Sequence, residues 1–592
     1  MQVLVHIFYI LLFSYFADYI QFVHTYTILP QFSFQLKLET ISITLTVYVI
    51  DRYILRLFIP QKNTKNLFFE NLIYFPILLL FFSPYCYGKL HFLDRTINSP
   101  LKEIKHILYL SIYIICIFKI IYGGFHLLKN KKHELISINK KSIILFLFFI
   151  YAFLPLCIIK YYDHFTAGDE KEYILNTYSI VSSRNISIHD DLKYVAFITG
   201  GSIQAPPLNP YPEKGKIYSL HSNLFGVYLL YLFPYIIFGR FGLILVSLLA
   251  VSFCLSILYK CACYNTGSDS KIAEVYIFFC SLTPFFMIYN QQVYPEIIIA
   301  GIIIYFISII RNENEYIIQK GYIFLLIACP LVIWLNIRYI FFSFTFLFIF
   351  LMRFGFKRII DEKYLLTFVL MCVSIFSFLC VNYSMYESFT MSANTLNMES
   401  RFFSLKFYNG LLGIIFDQHF GIIMYMPFAF YIIYEIIRNI RHYKYEMVVF
   451  VFYLLPVSFY SGNWFGGYSP PFRLAAPIIP LAFLCGIQVF IKIQKTIFTK
   501  IFSYIFAIIS VLFSTVLTAV PIFLYNGRLN GNNQFLEKLY WFTGIHIYDY
   551  FPVFVPDKIN MKSYLLTFIH FCVILLFIFV YRYEEKKCIG KI

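Results

Sequence analysis

Apolar runs of about eighteen residues recur along the chain, separated by short polar or basic stretches. The runs lie near 2–24, 38–59, 67–87, 106–128, 142–160, 222–239 and 241–258. Toward the C-terminus others lie near 365–383, 423–439, 447–460, 474–492, 502–525 and 564–581. In hydrocarbon every backbone amide must bond within the protein, so runs of this length predict helices. The expected fold class is therefore all-α and polytopic. If 222–239 and 241–258 both crossed fully, residues 290–296 would face away from the long polar loop that follows residue 160. Segment 222–239 contains Pro234 and runs directly into Gly239-Arg240-Phe241-Gly242. It is read as a re-entrant or interfacial helix, which leaves about sixteen full transmembrane spans.

Composition agrees with a bilayer solvent. The chain has 592 residues, 60% hydrophobic and 13% charged, and its mean hydropathy is +0.71. Soluble domains hold closer to half apolar and a quarter charged. The net charge of +17 would suggest nucleic acid, but no loop forms a basic domain. The cations cluster instead in short loops: Lys129, Lys131, Lys132, Lys140 and Lys141; Arg353, Lys357 and Arg358; Arg438, Arg441 and Lys444; Lys492, Lys495 and Lys500; Arg582, Lys586 and Lys587. Basic loops of this kind face the cytoplasm and its anionic lipid. Both termini are then expected inside, with loops 161–221, 384–422, 461–473 and 526–563 outside. Val3 to Phe22 lacks a basic leader and a small-residue cleavage site, so it is expected to persist as the first span. The 13 cysteines fall mostly in apolar runs, and the close pair Cys261 and Cys263 has no companion ligands.

Candidate chemistry concentrates at the outer ends of spans. Phe165-Thr166-Ala167-Gly168-Asp169-Glu170-Lys171-Glu172-Tyr173 opens the long polar loop with adjacent carboxylates. Asp169 and Glu170 suit general-base work at the lipid–water boundary, or simply an acidic first helical turn. Glu296, after Tyr294-Pro295, stands at the head of a span, where acid and proline also suit an ordinary helix start. Arg473 ends the tight stretch Asn463-Trp464-Phe465-Gly466-Gly467-Tyr468-Ser469-Pro470-Pro471-Phe472. An arginine there can grip phosphate bidentately or snorkel to the interface. Arg338, beside Trp334, carries the same two readings. His221 can bond a sugar or phosphate oxygen, and Asp417 with His419 can orient an acceptor or cap a helix.

In order along the chain, several stretches resemble the bacterial GT-C glycosyltransferases that use polyprenyl-phosphate sugars. Relatives include the protein O-mannosyltransferases and the lipid A aminoarabinose transferases. The stretches are Gly168-Asp169-Glu170 with Tyr173-Ile174; Tyr218-Ser219-Leu220-His221; Tyr294-Pro295-Glu296; Phe416-Asp417 with Phe420-Gly421 and Pro427; and Trp464 with Gly466-Gly467, Pro470 and Arg473. The resemblance covers roughly 142–525. It implies a hexosyl- or pentosyltransferase of the bacterial inner membrane, with a GT-C-like core and juxtamembrane helices in its first large outer loop. The sugar would pass, with inversion, from a polyprenyl-phosphate donor to a lipid, glycan or protein acceptor on the non-cytoplasmic face. Asp169 would be the catalytic base, with Glu170 or Glu296 assisting. Arg473, Arg338, His221, Tyr173, Asp417, His419, Trp464 and Tyr468 would contact donor phosphate or substrate. Some relatives use a divalent cation, Mg or Mn, and others do not; if one is present here, Asp169 and Glu296 would hold it. Ser222-Asn223 departs from the proline and glycine that often follow the histidine motif. The division expected is 1–135 for extra N-terminal spans, 136–525 for the catalytic core with outer loop 161–221, and 526–592 for an outer loop and C-terminal helix. Rival readings are a lipid-linked oligosaccharide flippase or transporter, and a polysaccharide polymerase. The former predicts charges within spans or paired broken helices in symmetric halves, and the latter predicts chiefly arginines in the outer loop.

Overall fold

The structure, a computed structural model, describes residues 137–163, 169–184, 224–266, 270–311, 315–357, 362–386, 407–459, 469–493, 497–519, 533–555 and 558–589, with Phe389 and scattered positions between 113 and 121. The four N-terminal spans expected before residue 129 lie almost wholly outside the described residues. So do Tyr218, His221, Trp464 and Tyr468.

Among the described residues every regular element is helical. Seven of the helices among the described residues are long and apolar enough to cross a membrane. The chain is thus an all-α membrane protein. In order the helices are α1 (Ile138–Asp163), α2 (Glu170–Ser182), α3 (Phe225–Phe238), α4 (Arg240–Thr266), α5 (Ser270–Ser281), α6 (Pro284–Tyr289), α7 (Glu296–Ile310) and α8 (Glu315–Leu335). A 3-10 turn, Ile337–Tyr339, leads into α9 (Ile340–Phe354) and then α10 (Glu362–Tyr386). After these come α11 (Phe407–Phe416), α12 (Ile422–Tyr425), α13 (Ala429–Arg438) and α14 (Lys444–Phe459). A second 3-10 stretch, Arg473–Ile478, precedes α15 (Ile479–Ile493), α16 (Ile497–Ala519), α17 (Gln534–Thr543) and α18 (Met561–Ile589).

Helix α4 is the central post, packed against α1, α3, α5, α7 and α15. Small residues let its neighbours come close, as they do generally between helices in lipid. At the corner from α3 to α4, Gly239 takes φ 56°. A Cβ on Gly242 would stand 2.0 Å from the Pro234 carbonyl oxygen. The turn between the two helices therefore needs glycine at both places. Helix α3 has 14 residues, about 21 Å of rise, which is short of the roughly 30 Å of a bilayer core. Tyr228, Tyr231 and Tyr235 bury one side of it, while Leu229, Phe233 and Ile236 are exposed on the other.

The span expected over 423–439 is broken. Helix α12 ends at Tyr425, and α13 begins at Ala429. Pro427 has no amide hydrogen and forces the residue before it out of helical geometry. Met426 accordingly sits at φ −134° and ψ 69°. The span expected over 474–492 begins instead as a six-residue 3-10 stretch containing Pro477. Between α6 and α7 the chain runs irregularly through buried positions 290–295. Buried irregular backbone requires internal partners. The Asn290 side-chain amide donates to the Phe286 and Met287 carbonyls, and the Ser247 hydroxyl donates to the Gln292 carbonyl.

Helices α7, α9 and α15 and the turns leading into them each run from the end holding Glu296, Arg338 and Arg473 to the end holding Arg311, Arg353 and Lys492. Helix α1 runs the other way, from Lys141 to Lys160. The molecule thus has an end of converging turns and an opposite end of basic residues.

Candidate active site

Four charged side chains meet at the end of converging turns, each brought by a different local break. Asp169 immediately precedes α2, Glu296 is the first residue of α7, Arg338 lies in the turn after α8, and Arg473 opens the 3-10 stretch before α15. The Arg473 Nη2 lies 2.6 Å from Asp169 Oδ2, and its Nε donates to Glu296 Oε1 at 2.8 Å. Arg338 donates through Nη2 to the same Glu296 oxygen. One carboxylate oxygen therefore serves two guanidiniums, while the second guanidinium edge of Arg473 reaches another acid.

Exposure divides the four. The Glu296 side chain is 0% exposed and that of Arg473 4%, against 30% for Asp169 and 24% for Arg338. The inner pair is sealed within the protein, and the outer pair reaches solvent. Taking charge out of solvent is tolerated only with close partners, yet the set is not saturated. Glu296 Oε2 and Arg338 Nε are buried without a hydrogen-bond partner among the described residues. Tyrosines complete the setting. The Arg473 guanidinium lies 4.4 Å over the Tyr294 ring, and Tyr173 meets that ring edge-on with centroids 6.2 Å apart. Arg338 donates to the Tyr339 hydroxyl at 3.0 Å. Tyr231, Tyr289 and Tyr453 stand near enough to feel the Glu296 charge. Tyr173 is fully buried, so it supports Tyr294 instead of presenting itself to a substrate.

Glu170 has another task than its neighbour Asp169. Its carboxylate accepts from Lys160 Nζ at 2.9 Å and from the Val293 amide at 2.7 Å, and it is fully buried. It thereby ties the end of α1 to α2 and to the irregular stretch that delivers Tyr294 and Glu296. This is a positioning residue.

Asp417 and His419 lie at the same end, one loop away from the ion cluster. Asp417 Oδ1 accepts the amides of His419 and Phe420, and Oδ2 accepts the amide of Phe554. Burial lifts its carboxyl to about 6, against the lowering effect of those three amides. The loop it folds reaches Arg473 through the backbone, because the Phe420 carbonyl accepts the amide of Phe472 at 3.2 Å. Phe472 holds φ 49°, a left-handed conformation costly for a residue with a side chain. Its ring packs near Tyr289 and Tyr425. Asp417 thus organises the loop that seats Arg473, and both His419 ring and Asp417 side chain are fully buried. Neither is placed to meet an acceptor directly. Sequence reasoning named the four cluster charges but not Tyr231, Tyr289, Tyr339 or Tyr453. With 52 tyrosines in the chain, only the adjacency of Tyr339 to Arg338 offered a signal.

Asp169 and Glu296 are a poor fit for a divalent cation, because the Arg473 guanidinium already stands between them with its own positive charge. Among the described residues no group of three or more His, Cys, Asp or Glu side chains is suited to hold one. What the arrangement offers chemically is a half-open carboxylate beside two fixed guanidiniums. No family model, curated protein or solved structure matches the chain.

Proposed function

We propose that the protein is a membrane glycosyltransferase that moves a sugar from a polyprenyl-phosphate donor to a cell-envelope acceptor, with inversion at the anomeric carbon. The observation that carries this reading is the shared geometry of Asp169, Arg473, Glu296 and Arg338. A phosphate leaving group needs positive charge and hydrogen bonds, which two guanidiniums supply. An attacking hydroxyl needs a proton acceptor at hand, and Asp169 is the most exposed carboxylate of the set. The acceptor oxygen forms its bond to the anomeric carbon as that carbon's bond to the phosphate oxygen breaks. The hydroxyl proton passes to Asp169, and the polyprenyl phosphate departs with the bonding electrons. One displacement of this kind inverts configuration.

The resemblance to GT-C enzymes supports the same assignment, with Glu296 anchoring the arginines and Glu170 anchoring the loops. The positive-inside tendency supports an outward-facing site, since Lys141, Arg353, Arg438 and Lys492 all stand toward the opposite end. On this reading about sixteen spans, both termini in the cytoplasm of a bacterium and four additional N-terminal spans complete the molecule. Sugar transfer from purified polyprenyl-phosphate sugars, measured for the wild type and Asp169→Asn, tests the proposal. Transfer is expected to fall by at least about a hundredfold, the lower end of the range for a general base. Equal rates would remove Asp169 from its role. Lipid translocation without transfer from any donor would favour a flippase.

A further inference from the structure

We infer that Asp169 holds the place of a ligand phosphate on Arg473, so that a phosphate ester binds by displacing this carboxylate and frees it to accept a proton. The inference rests on reading the cluster as a phosphate-ester site. Three observations lead to it. First, Arg473 grips its two acids with different parts of the guanidinium, Glu296 through Nε and Asp169 through Nη2. The two contacts can therefore separate. Second, only one of those acids is replaceable. Glu296 is sealed from solvent and held by both arginines, whereas Asp169 is 30% exposed and lies ahead of a helix. Third, Arg338, which shares the Glu296 oxygen with Arg473, also reaches solvent and retains a buried Nε donor that no described residue uses.

A phosphate offers more acceptor oxygens than a carboxylate and suits the planar guanidinium fork bidentately. Bound between Arg473 and Arg338, it takes the donor edge that Asp169 uses in its absence. The displaced carboxylate still lies at the N-terminus of α2, where the helix dipole favours an anion. A carboxylate committed to a guanidinium at 2.6 Å is a poor proton acceptor. Losing that cation and gaining a neighbouring anion both strengthen it as a base. The site would then deprotonate an acceptor hydroxyl only after the phosphate donor is in place. Binding is ordered without any moving domain, and the same exchange re-forms the Arg473–Asp169 pair as the product phosphate departs.

The inference makes an unusual demand: removing the acid's charge should improve phosphate binding. Isothermal titration of the full chain in detergent, with farnesyl phosphate and with inorganic phosphate, reads this directly. Asp169→Asn is expected to bind farnesyl phosphate about tenfold more tightly than the wild type, the scale of one charged hydrogen bond released from competition. Improvement for farnesyl phosphate alone identifies a lipid-linked ligand, and improvement for both identifies the phosphate group itself. Unchanged or weaker binding in Asp169→Asn, with the wild type binding, overturns the displacement but leaves the phosphate site standing. Failure of both probes to bind either protein overturns the displacement together with the site reading. Carbodiimide coupling at Asp169 in the unaltered protein, followed by mass spectrometry, gives a second readout that needs no variant. Coupling should rise several-fold when farnesyl phosphate is added, and a fall in coupling would overturn the inference.

Discussion

The two ends of α7 present the same chemistry in different company. At its start Glu296 is fully buried and is met by Arg338 and Arg473; just beyond its end Arg311 meets the fully buried Glu446, with Nε 2.7 Å from Oε1. Acid at the N-terminus and base at the C-terminus both suit the helix dipole. Each of these three arginines also lies over a tyrosine, Arg473 on Tyr294 at 4.4 Å, Arg338 on Tyr339 at 5.0 Å and Arg311 on Tyr443 at 5.6 Å. The Arg311 end is a match of one acid and one base between two helices. At the Glu296 end four charges from four breaks in the chain share their contacts, and two of them reach solvent. A buried ion pair alone therefore marks little beyond helix docking. An unused arginine donor and a partly exposed arginine occur at both ends. What marks a place where something else can bind is the sharing of contacts among four charges and an acid, Asp169, that reaches solvent where Glu446 does not.

The largest expected effect separates the ends by activity. Arg473→Lys keeps the charge but cannot reach Asp169 and Glu296 with two separate guanidinium nitrogens. Initial rates of sugar transfer should fall about 10²–10³-fold, on the scale of losing one transition-state donor. Wild-type rates in this variant would mean that the two ends of α7 do not differ in kind. The matching change at the far end is Glu446→Gln. It strands Arg311 in a largely buried site and should cost about 3–5 kcal/mol of stability, read as a lower melting temperature in detergent. Transfer per folded molecule should stay at the wild-type level. A loss of transfer there, with folding intact, would extend the site along the whole helix.

Some of this contrast was legible in the sequence. Asp169, Glu296, Arg338 and Arg473 stood out because charges at the mouths of apolar runs are costly and have few reasons to persist. Asp169, Glu296 and Arg473 each follow a glycine or proline closely in the chain, which is a local signal, whereas Arg338 follows a break capped by Asn336. The division of labour between Asp169 and Glu170 was not legible. It depends on Lys160, one helix earlier, reaching the second acid, and that is a matter of tertiary packing. The break at Pro427 shows the same limit. Pro155, Pro234, Pro330 and Pro456 all sit inside continuous helices, so a proline in an apolar run does not say by itself whether the helix stops. Asp417 looked like a helix cap because its neighbours His419 and Phe420 supply two of its donors. The third comes from Phe554, a partner 137 residues away that no spacing rule could supply.

Burial of the Asp417 carboxyl leads to a prediction of pH dependence beside the ion cluster. The Asp417 carboxyl rises from an ordinary 3.8 to about 6 in the folded protein. A carboxyl raised on folding binds more protons in the native state than in the unfolded one between those values. Its contribution to stability is then complete below about pH 4, declines as pH rises toward 6 and is gone above that. The difference corresponds to about 3 kcal/mol at most. Melting temperatures of the wild type should therefore decline between pH 4 and 6 more steeply than those of Asp417→Asn. Parallel slopes would show that Asp417 does not titrate in this window, and its loop would then be fixed by the amides alone.

The smallest effect tests what distinguishes one ion pair from another. Lys562 Nζ lies 2.8 Å from Asp549 Oδ1, the same separation as between Arg473 Nε and Glu296 Oε1. The side chains of the first pair are 55% and 50% exposed, and those of the second are nearly sealed. Water screens the exposed pair, and holding two long side chains together costs entropy, so such a contact contributes about 0–1 kcal/mol. Lys562→Ala should leave the melting temperature within error of the wild type and transfer unaltered. If this variant lost as much stability as Glu446→Gln, contact distance would set the worth of these pairs. The contrast drawn from burial and sharing at the two ends of α7 would then lose its basis.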